Sequence, residues 1–122
     1  KVRIKLVLAG DAQGREGYLQ ELNAAVAAGD LDGDVVITGH LADMPAAYLA
    51  ADAVALPSIE PEAFGRSAVE AQAMGRVVIA SAAGGYLETI EDGETGFLIK
   101  PGAIETWAAA LDHVMTMSPA ER

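Results

Sequence analysis

The chain has 122 residues, no cysteine and a formal net charge of -10, a combination that predicts one cytoplasmic domain without disulfides or a thiolate metal site. Its 18 acidic and 8 basic side chains repel phosphate backbones and anionic lipids, which argues against binding to nucleic acid or to a membrane surface. No apolar run approaches the roughly 18 residues that span a bilayer, and Lys1, Arg3 and Lys5 interrupt any signal-peptide pattern.

The first predicted elements are a strand and a helix. The stretch VRIKLVLAG predicts a strand, because its apolar residues alternate before they become continuous. The alternating residues are Val2, Ile4, Leu6 and Leu8. A helix is predicted next from the apolar residues between Tyr18 and Val26, and Gly29 is predicted to end it in the left-handed conformation.

The same alternation continues to the C-terminus. Further strands are predicted in DVVITG, AVALPS, VVIAS and GFLIK. Helices are predicted after an N-cap at Asp43, from about Arg66 to Met74, around Tyr86 to Ile90, and along a final stripe of Ile104, Trp107, Leu111 and Val114. This order predicts an α/β fold, a Rossmann-like parallel sheet with helices on both faces, as a single domain over residues 1–122.

Ligands of such sheets bind beyond the carboxyl ends of the strands, in this chain at residues 10–14, 38–43, 57–65 and 81–88. Gly10 begins a loop without GxGxxG spacing, so it is either a weak phosphate contact or an ordinary turn. His40 follows a strand end and is a candidate ligand contact. No metal site is predicted, because His40 has no neighbour at metal-ligand spacing. The serines lack a G-x-S-x-G setting, so no nucleophile triad is predicted either.

Gly65 and Arg66 stand at the start of a predicted helix, whose unpaired N–H groups favour an anionic or polyhydroxylated ligand. The alternative is a tight turn beside a solvated arginine. Gly84 and Gly85 form a second turn, predicted to be flexible, whose two N–H groups could hold a phosphate. Taken alone, the pair is better explained by ordinary loop flexibility.

Two carboxylates flank the helix start at Gly65 and Arg66. Glu70 lies in the small, apolar run AVEAQAM, which predicts a helix packed against the sheet on most sides. A buried carboxylate needs donors, either from the protein or from vicinal hydroxyls of a ligand. Glu62 lies in the preceding loop, near the positive end of the helix dipole; an exposed loop glutamate is the alternative.

Taken together, these residues resemble a known family. The ordered motifs are Pro57-Ser58, Glu62, Phe64-Gly65, Glu70-Ala71, Met74-Gly75, Gly84-Gly85, Glu88, Asp92-Gly93 and Thr95-Gly96. Their order and spacing are similar to the C-terminal, nucleotide-sugar-binding domain of retaining GT-B glycosyltransferases of group 1 (family 4). The segment PEAFGRSAVEAQAMG is most similar to hexosyltransferases of bacterial lipopolysaccharide core assembly.

The resemblance implies a role for each candidate residue. Glu70 would accept hydrogen bonds from the donor's ribose, and Glu62, as the catalytic residue, would face the donor sugar. The backbone at Phe64, Gly65 and Arg66 would bind the sugar or the diphosphate, Gly84 and Gly85 would line the same cleft, and His40 and Leu41 would meet the nucleobase, with Gly10 as a further donor contact. The implied reaction transfers a hexose to a glycan or lipopolysaccharide acceptor with retention, without metal or cofactor.

The chain also departs from the family pattern. The resemblance implies a further strand-helix unit before Lys1, bearing basic diphosphate contacts, and an N-terminal acceptor domain that would provide any contact with the inner membrane face. Without them we expect an inactive fragment that dimerises through an exposed sheet edge. Two alternatives remain: a non-catalytic regulatory module, and a GT-B epimerase or phosphorylase, for which Lys100 is the only lysine beyond the first strand.

Overall fold

A computed structural model describes residues 3–122. The predicted place of Val2 in the first strand therefore lies outside the described residues. Strands and helices alternate throughout: β1 (Leu6–Ala9), α1 (Glu16–Ala28), β2 (Val35–Gly39), α2 (Met44–Ala50), β3 (Ala53–Leu56), α3 (Arg66–Ala73), β4 (Val77–Ser81), α4 (Tyr86–Thr89), β5 (Phe97–Ile99) and α5 (Ile104–Thr116). They fall into two compact units, Lys1–Asp43 and Met44–Arg122.

The first unit holds a two-stranded parallel sheet of β1 and β2, with an irregular register after Leu8. On α1 the half-buried apolar side chains are those of Leu19, Leu22 and Val26. Gly29 does not adopt the predicted left-handed conformation, because its φ is -87° and its N–H continues the helix by bonding to the carbonyl of Ala25 at 3.0 Å. Asp30, with φ 52°, makes the left-handed turn instead.

The second unit is built on a three-stranded parallel sheet in the order β3-β4-β5. The central strand β4 is buried from Val78 to Ser81, because it has a neighbouring strand on each side and helices above and below. Val78 and Ala80 join α3 and α4 in one apolar cluster, while Ile79 joins Val114 of α5 in another. Alternate side chains of β4 thus face opposite helical layers, and helices cover both faces of this sheet.

Helix α5 covers its face of the sheet through part of the predicted stripe. Trp107, Leu111 and Val114 pack in the cluster with Ile79, whereas Ile104 is 80% exposed and Ala103 occupies that end of the stripe. Within residues 3–122 no helix is long and apolar enough to cross a membrane.

Candidate functional site

Two loops at one edge of the second unit's sheet carry half of the predicted site residues. β3 and β4 are parallel neighbours, so their carboxyl ends lie side by side, and each leads through a loop to the start of a helix. The loop at 57–65 ends at Gly65, whose left-handed backbone (φ 65°) begins α3. The loop at 82–85 passes through Gly84 (φ 56°) to α4. Glycine is required at both turns because other residues are strained at positive φ.

The two loops are in direct backbone contact. The N–H of Gly85 donates to the carbonyl oxygen of Glu62 at 2.5 Å. A Cβ at Gly85 would lie 2.5 Å from the carbonyl carbon of Phe64 and 2.7 Å from the nitrogen of Gly65. A Cβ at Gly84 would collide with the backbone of Glu62. Gly84 and Gly85 therefore fix the loop that bears Glu62, and the N–H of Gly85 serves this contact.

Glu70 is exposed, which corrects the prediction of a buried carboxylate. Only Ala68 and Ala71 of α3 are buried against the sheet, since residues three apart share one face of a helix. The Glu70 side chain leaves from another face, and its Oε2 accepts a hydrogen bond of 3.1 Å from the hydroxyl of Tyr48. The sequence analysis required a hydrogen-bond donor for Glu70, and that donor is the hydroxyl of Tyr48, which was not predicted.

Tyr48 and Tyr86 lie in the same buried cluster, 7% and 3% exposed respectively. Burial raises the pKa of Tyr48, and its hydrogen bond to Glu70 and the charge of that carboxylate raise it further, whereas a hydrogen bond with Ser67 lowers it. Burial also raises the pKa of Tyr86; the Ser58 hydroxyl opposes this shift and the charge of Glu62 adds to it. Both phenols therefore remain neutral donors at neutral pH.

The remaining candidates of the second unit surround the start of α3. Glu62 lies exposed in the loop, and Phe64 is 83% exposed directly before Gly65, which is itself buried. Arg66 is the first residue of α3 and is exposed. In the first turn the N–H groups of Ala68 and Val69 donate to the carbonyl oxygen of Gly65 at 3.1 and 3.3 Å. The backbone donors that remain for a ligand there are those of Gly65, Arg66 and Ser67.

Gly10, His40 and Leu41 belong to the first unit. Gly10 follows β1, and its N–H donates to the carbonyl oxygen of Gly39 at 3.0 Å. His40 is exposed and Leu41 is half-buried, both directly after β2. These three residues lie at the carboxyl ends of their own two strands, as the sequence analysis expected for ligand-facing loops.

Sequence reasoning overlooked Tyr48 and Tyr86, and it gave no role to the two serines that lower their pKa values, Ser67 and Ser58. Ser58 and Ser67 belong to the loop and helix already singled out, and Tyr48 is the one aromatic residue in the alanine-rich segment MPAAYLA. A phenol in such a helix indicates a buried ring whose hydroxyl needs a partner, and that signal was available from the sequence.

One cavity of the second unit lies away from these two loops. It has a volume of about 500 Å³ and is lined by residues that include Arg76, Val77, Thr95, Phe97 and Arg122. Val77 and Phe97 begin β4 and β5, so the cavity lies at the amino ends of these strands, opposite the two loops. It contains none of the candidate residues. Across the described chain, 3–122, no three His, Asp or Glu side chains are grouped closely enough to hold a metal ion.

Comparisons with known proteins identify a family and several relatives. The family described as "Glycosyl transferases group 1" matches residues 1–122. A D-inositol 3-phosphate glycosyltransferase of Mycobacterium tuberculosis is 42% identical over 80 residues, which are 66% of this chain and 16% of that enzyme. The predicted resemblance to group 1 glycosyltransferases is therefore confirmed.

Solved structures confirm the α/β fold. Anabaena Alr3699/HepE, crystallised in complex with UDP-glucose, superimposes with a TM-score of 0.91 at 36% identity, covering 95% of this chain and 32% of that one. The C-terminal domain of the group 1 protein LpcC from Francisella tularensis gives a TM-score of 0.74 at 34% identity, covering 83% and 53%. This chain thus spans a minor part of the mycobacterial enzyme and of HepE.

Proposed function

Because this chain belongs to the group 1 family of glycosyl transferases, we propose that it forms the donor-binding part of a retaining, cytoplasmic hexosyltransferase. The observation that carries the proposal is the arrangement around the start of α3. Glu62 and Glu70 flank the left-handed Gly65. The N–H of Gly85 holds the backbone of Glu62, and the hydroxyl of Tyr48 donates to the carboxylate of Glu70.

In the proposed complex, Glu70 accepts hydrogen bonds from the ribose of a nucleotide diphosphate sugar. An exposed carboxylate with one oxygen already bonded to a phenol keeps further lone pairs for vicinal hydroxyls. HepE, the relative described above, was crystallised with UDP-glucose, so a uridine nucleotide is the first donor to test.

The diphosphate is proposed to meet the backbone donors at the start of α3 and the side chain of Arg66. A chain with net charge -10 attracts no anion through its overall field, so the negative ligand must be held by local donors. The left-handed Gly65 lets a ligand approach the backbone closely, and the helix dipole stabilises charge that develops on the leaving diphosphate.

Glu62 is proposed to contact the donor sugar and to stabilise positive charge at its reacting carbon. Glu70 is committed to ribose, so the two carboxylates do not form the acid and nucleophile pair of a glycosidase. The acceptor hydroxyl then attacks from the face that the diphosphate leaves, which retains the anomeric configuration. The hexose is proposed from the resemblance to the family, and a lipopolysaccharide core acceptor from the segment PEAFGRSAVEAQAMG.

Steady-state kinetics of the full-length protein with UDP-glucose and a glycan acceptor test the two roles. Glu70→Ala should raise KM for the donor about tenfold with little change in kcat, because hydrogen bonds to a charged group are worth about 1.5–3 kcal/mol. Glu62→Ala should lower kcat about 100-fold, as loss of a group that stabilises transition-state charge does.

Matched controls come from exposed glutamates outside the site, Glu60 in the same loop and Glu105 at the start of α5. Their alanine variants should behave as the wild type. Wild-type kinetics in both Glu62→Ala and Glu70→Ala would refute the assignment.

A further inference from the structure

Tyr48 is the residue on which the position of the Glu70 carboxylate depends. It is the one buried residue of α2, and its hydroxyl reaches α3 to donate to Oε2 of Glu70 at 3.1 Å. Glu70 lies 22 residues further along the chain and is otherwise exposed. A fixed ring from one helix therefore holds a carboxylate that projects from another.

The direction of this hydrogen bond follows from the chemistry of the two groups. An ionised carboxylate has no proton to donate, so the phenol of Tyr48 donates to Oε2 of Glu70.

A free glutamate on a helix surface samples several rotamers, and binding a ligand would restrict it to one. The hydrogen bond to Oε2 removes part of that freedom before the ligand arrives, whereas the lone pairs of Oε1 remain available. A carboxylate prepared in this way suits a ligand with two hydroxyls at a fixed separation, since both must be met at once.

We propose that Tyr48 is a positioning residue that orients Glu70 to accept hydrogen bonds from the vicinal ribose hydroxyls of the donor nucleotide. The inference rests on the proposed function, which assigns Glu70 to ribose, and adds the group that makes that contact specific. Tyr48 itself touches no substrate. Its loss should therefore weaken the discrimination between ribose and deoxyribose more than it weakens nucleotide binding in general.

The chain provides a matched control in Tyr86. This residue is buried to a similar degree in the same cluster. Tyr86→Phe removes the same atom from the same core and leaves Glu70 with its partner. Any general effect of losing a buried hydroxyl should appear equally in both variants.

The experiment measures calorimetric affinities of the full-length protein for UDP, GDP and ADP and for their 2′-deoxy forms. The wild type should prefer the ribose form of the nucleotide that it binds by about tenfold, the value of one hydrogen bond to a charged group. The preference should fall to about twofold or less in Glu70→Ala and to about threefold in Tyr48→Phe. It should stay at the wild-type value in Tyr86→Phe.

The outcomes separate this inference from the proposed function. A wild-type preference in Tyr48→Phe, beside a lost preference in Glu70→Ala, overturns the positioning role alone. Equal weakening of ribose and deoxyribose forms in Tyr48→Phe overturns it as well, because that is the result of a purely structural defect. No binding of any nucleotide, or a preference that survives in Glu70→Ala, overturns the ribose assignment and this inference with it.

If thermal melting shows that Tyr48→Phe does not fold, Glu70→Gln replaces it. The Tyr48 hydroxyl should hold the amide oxygen and leave the NH2 group, which cannot accept a hydrogen bond, towards the ribose, so the ribose preference should fall. An unchanged preference in Glu70→Gln would then overturn the inference.

Discussion

Gly85→Ala should strongly destabilise the second unit, because the added methyl group would collide with backbone on the neighbouring loop. A Cβ at this position would lie 2.5 Å from the carbonyl carbon of Phe64 and 2.7 Å from the nitrogen of Gly65. Neither atom belongs to a side chain that could rotate away. The loop must move, and the bond from Gly85 to the carbonyl of Glu62 must lengthen or break.

The expected loss follows from these two effects. Forced overpacking costs about 1–3 kcal/mol and a hydrogen bond contributes about 0.5–1.5 kcal/mol. Together they lower the free energy of unfolding by about 2–4 kcal/mol, a large share of the roughly 5–15 kcal/mol of an ordinary domain. The displaced loop also carries Glu62, so donor turnover should fall with stability.

Urea unfolding measures this loss through the fluorescence of Trp107, the one tryptophan of the chain, which lies in α5 of the second unit. Gly17→Ala is the matched control: Gly17 lies within α1, and a Cβ there would meet nothing within 4 Å. Alanine should be neutral or stabilising at that position. A Gly85→Ala protein within about 0.5 kcal/mol of the wild type would refute the close contact of the loops.

Two further predictions concern the cores and the tyrosines. Ile79 is fully buried and Ile104 is 80% exposed. Ile79→Ala should therefore lower the free energy of unfolding by about 2–5 kcal/mol, whereas Ile104→Ala should change it by less than about 0.5 kcal/mol. Equal losses for the two variants in urea unfolding would contradict the packing. The pKa values of Tyr48 and Tyr86 are raised above 10.0 in the folded state, so the folded protein keeps protons that the unfolded chain loses. Their contribution is fully present below about pH 10 and is lost as pH rises through the folded pKa values. Stability measured against alkaline pH should fall less steeply when both are phenylalanine, and an unchanged slope would count against the shifts.

Sequence patterns predicted the strands and helices well because burial in a parallel sheet requires apolar residues in a regular pattern. A strand such as β4, covered on both faces, must be continuously apolar, and VVIAS is recognisable for that reason. The boundaries of α3 were predicted to within one residue from the glycine before it. Local chemistry near a glycine and a continuous apolar run are properties of neighbouring residues, so one sequence is enough to read them.

Burial within a helix was harder to predict. The run AVEAQAM is small and apolar in composition, yet α3 buries only Ala68 and Ala71 and exposes Glu70. Which face of a short helix meets the sheet depends on partners elsewhere in the chain. The hydrogen bond between Tyr48 and Glu70 joins different helices. No pattern within either helix predicts that these two residues are partners.

Two adjacent glycines raised a similar difficulty at the other loop. Gly84 and Gly85 predict a flexible turn when each is considered alone, because glycine permits many backbone conformations. The structure uses them for the opposite purpose, since the absence of side chains allows two backbones to touch. A glycine needed for a flexible backbone and a glycine needed for the close approach of two backbones cannot be told apart from the sequence alone.

The hydrogen bond between Gly85 and Glu62 also bears on how donor specificity can be exchanged between relatives. The loops at 57–65 and 82–85 are separated in the chain by α3 and β4, yet each limits the shape of the other through this contact. A chimaera that imports one loop from another transferase would set a foreign backbone against a native one. The two loops therefore form one structural module, and a successful transplant has to carry both.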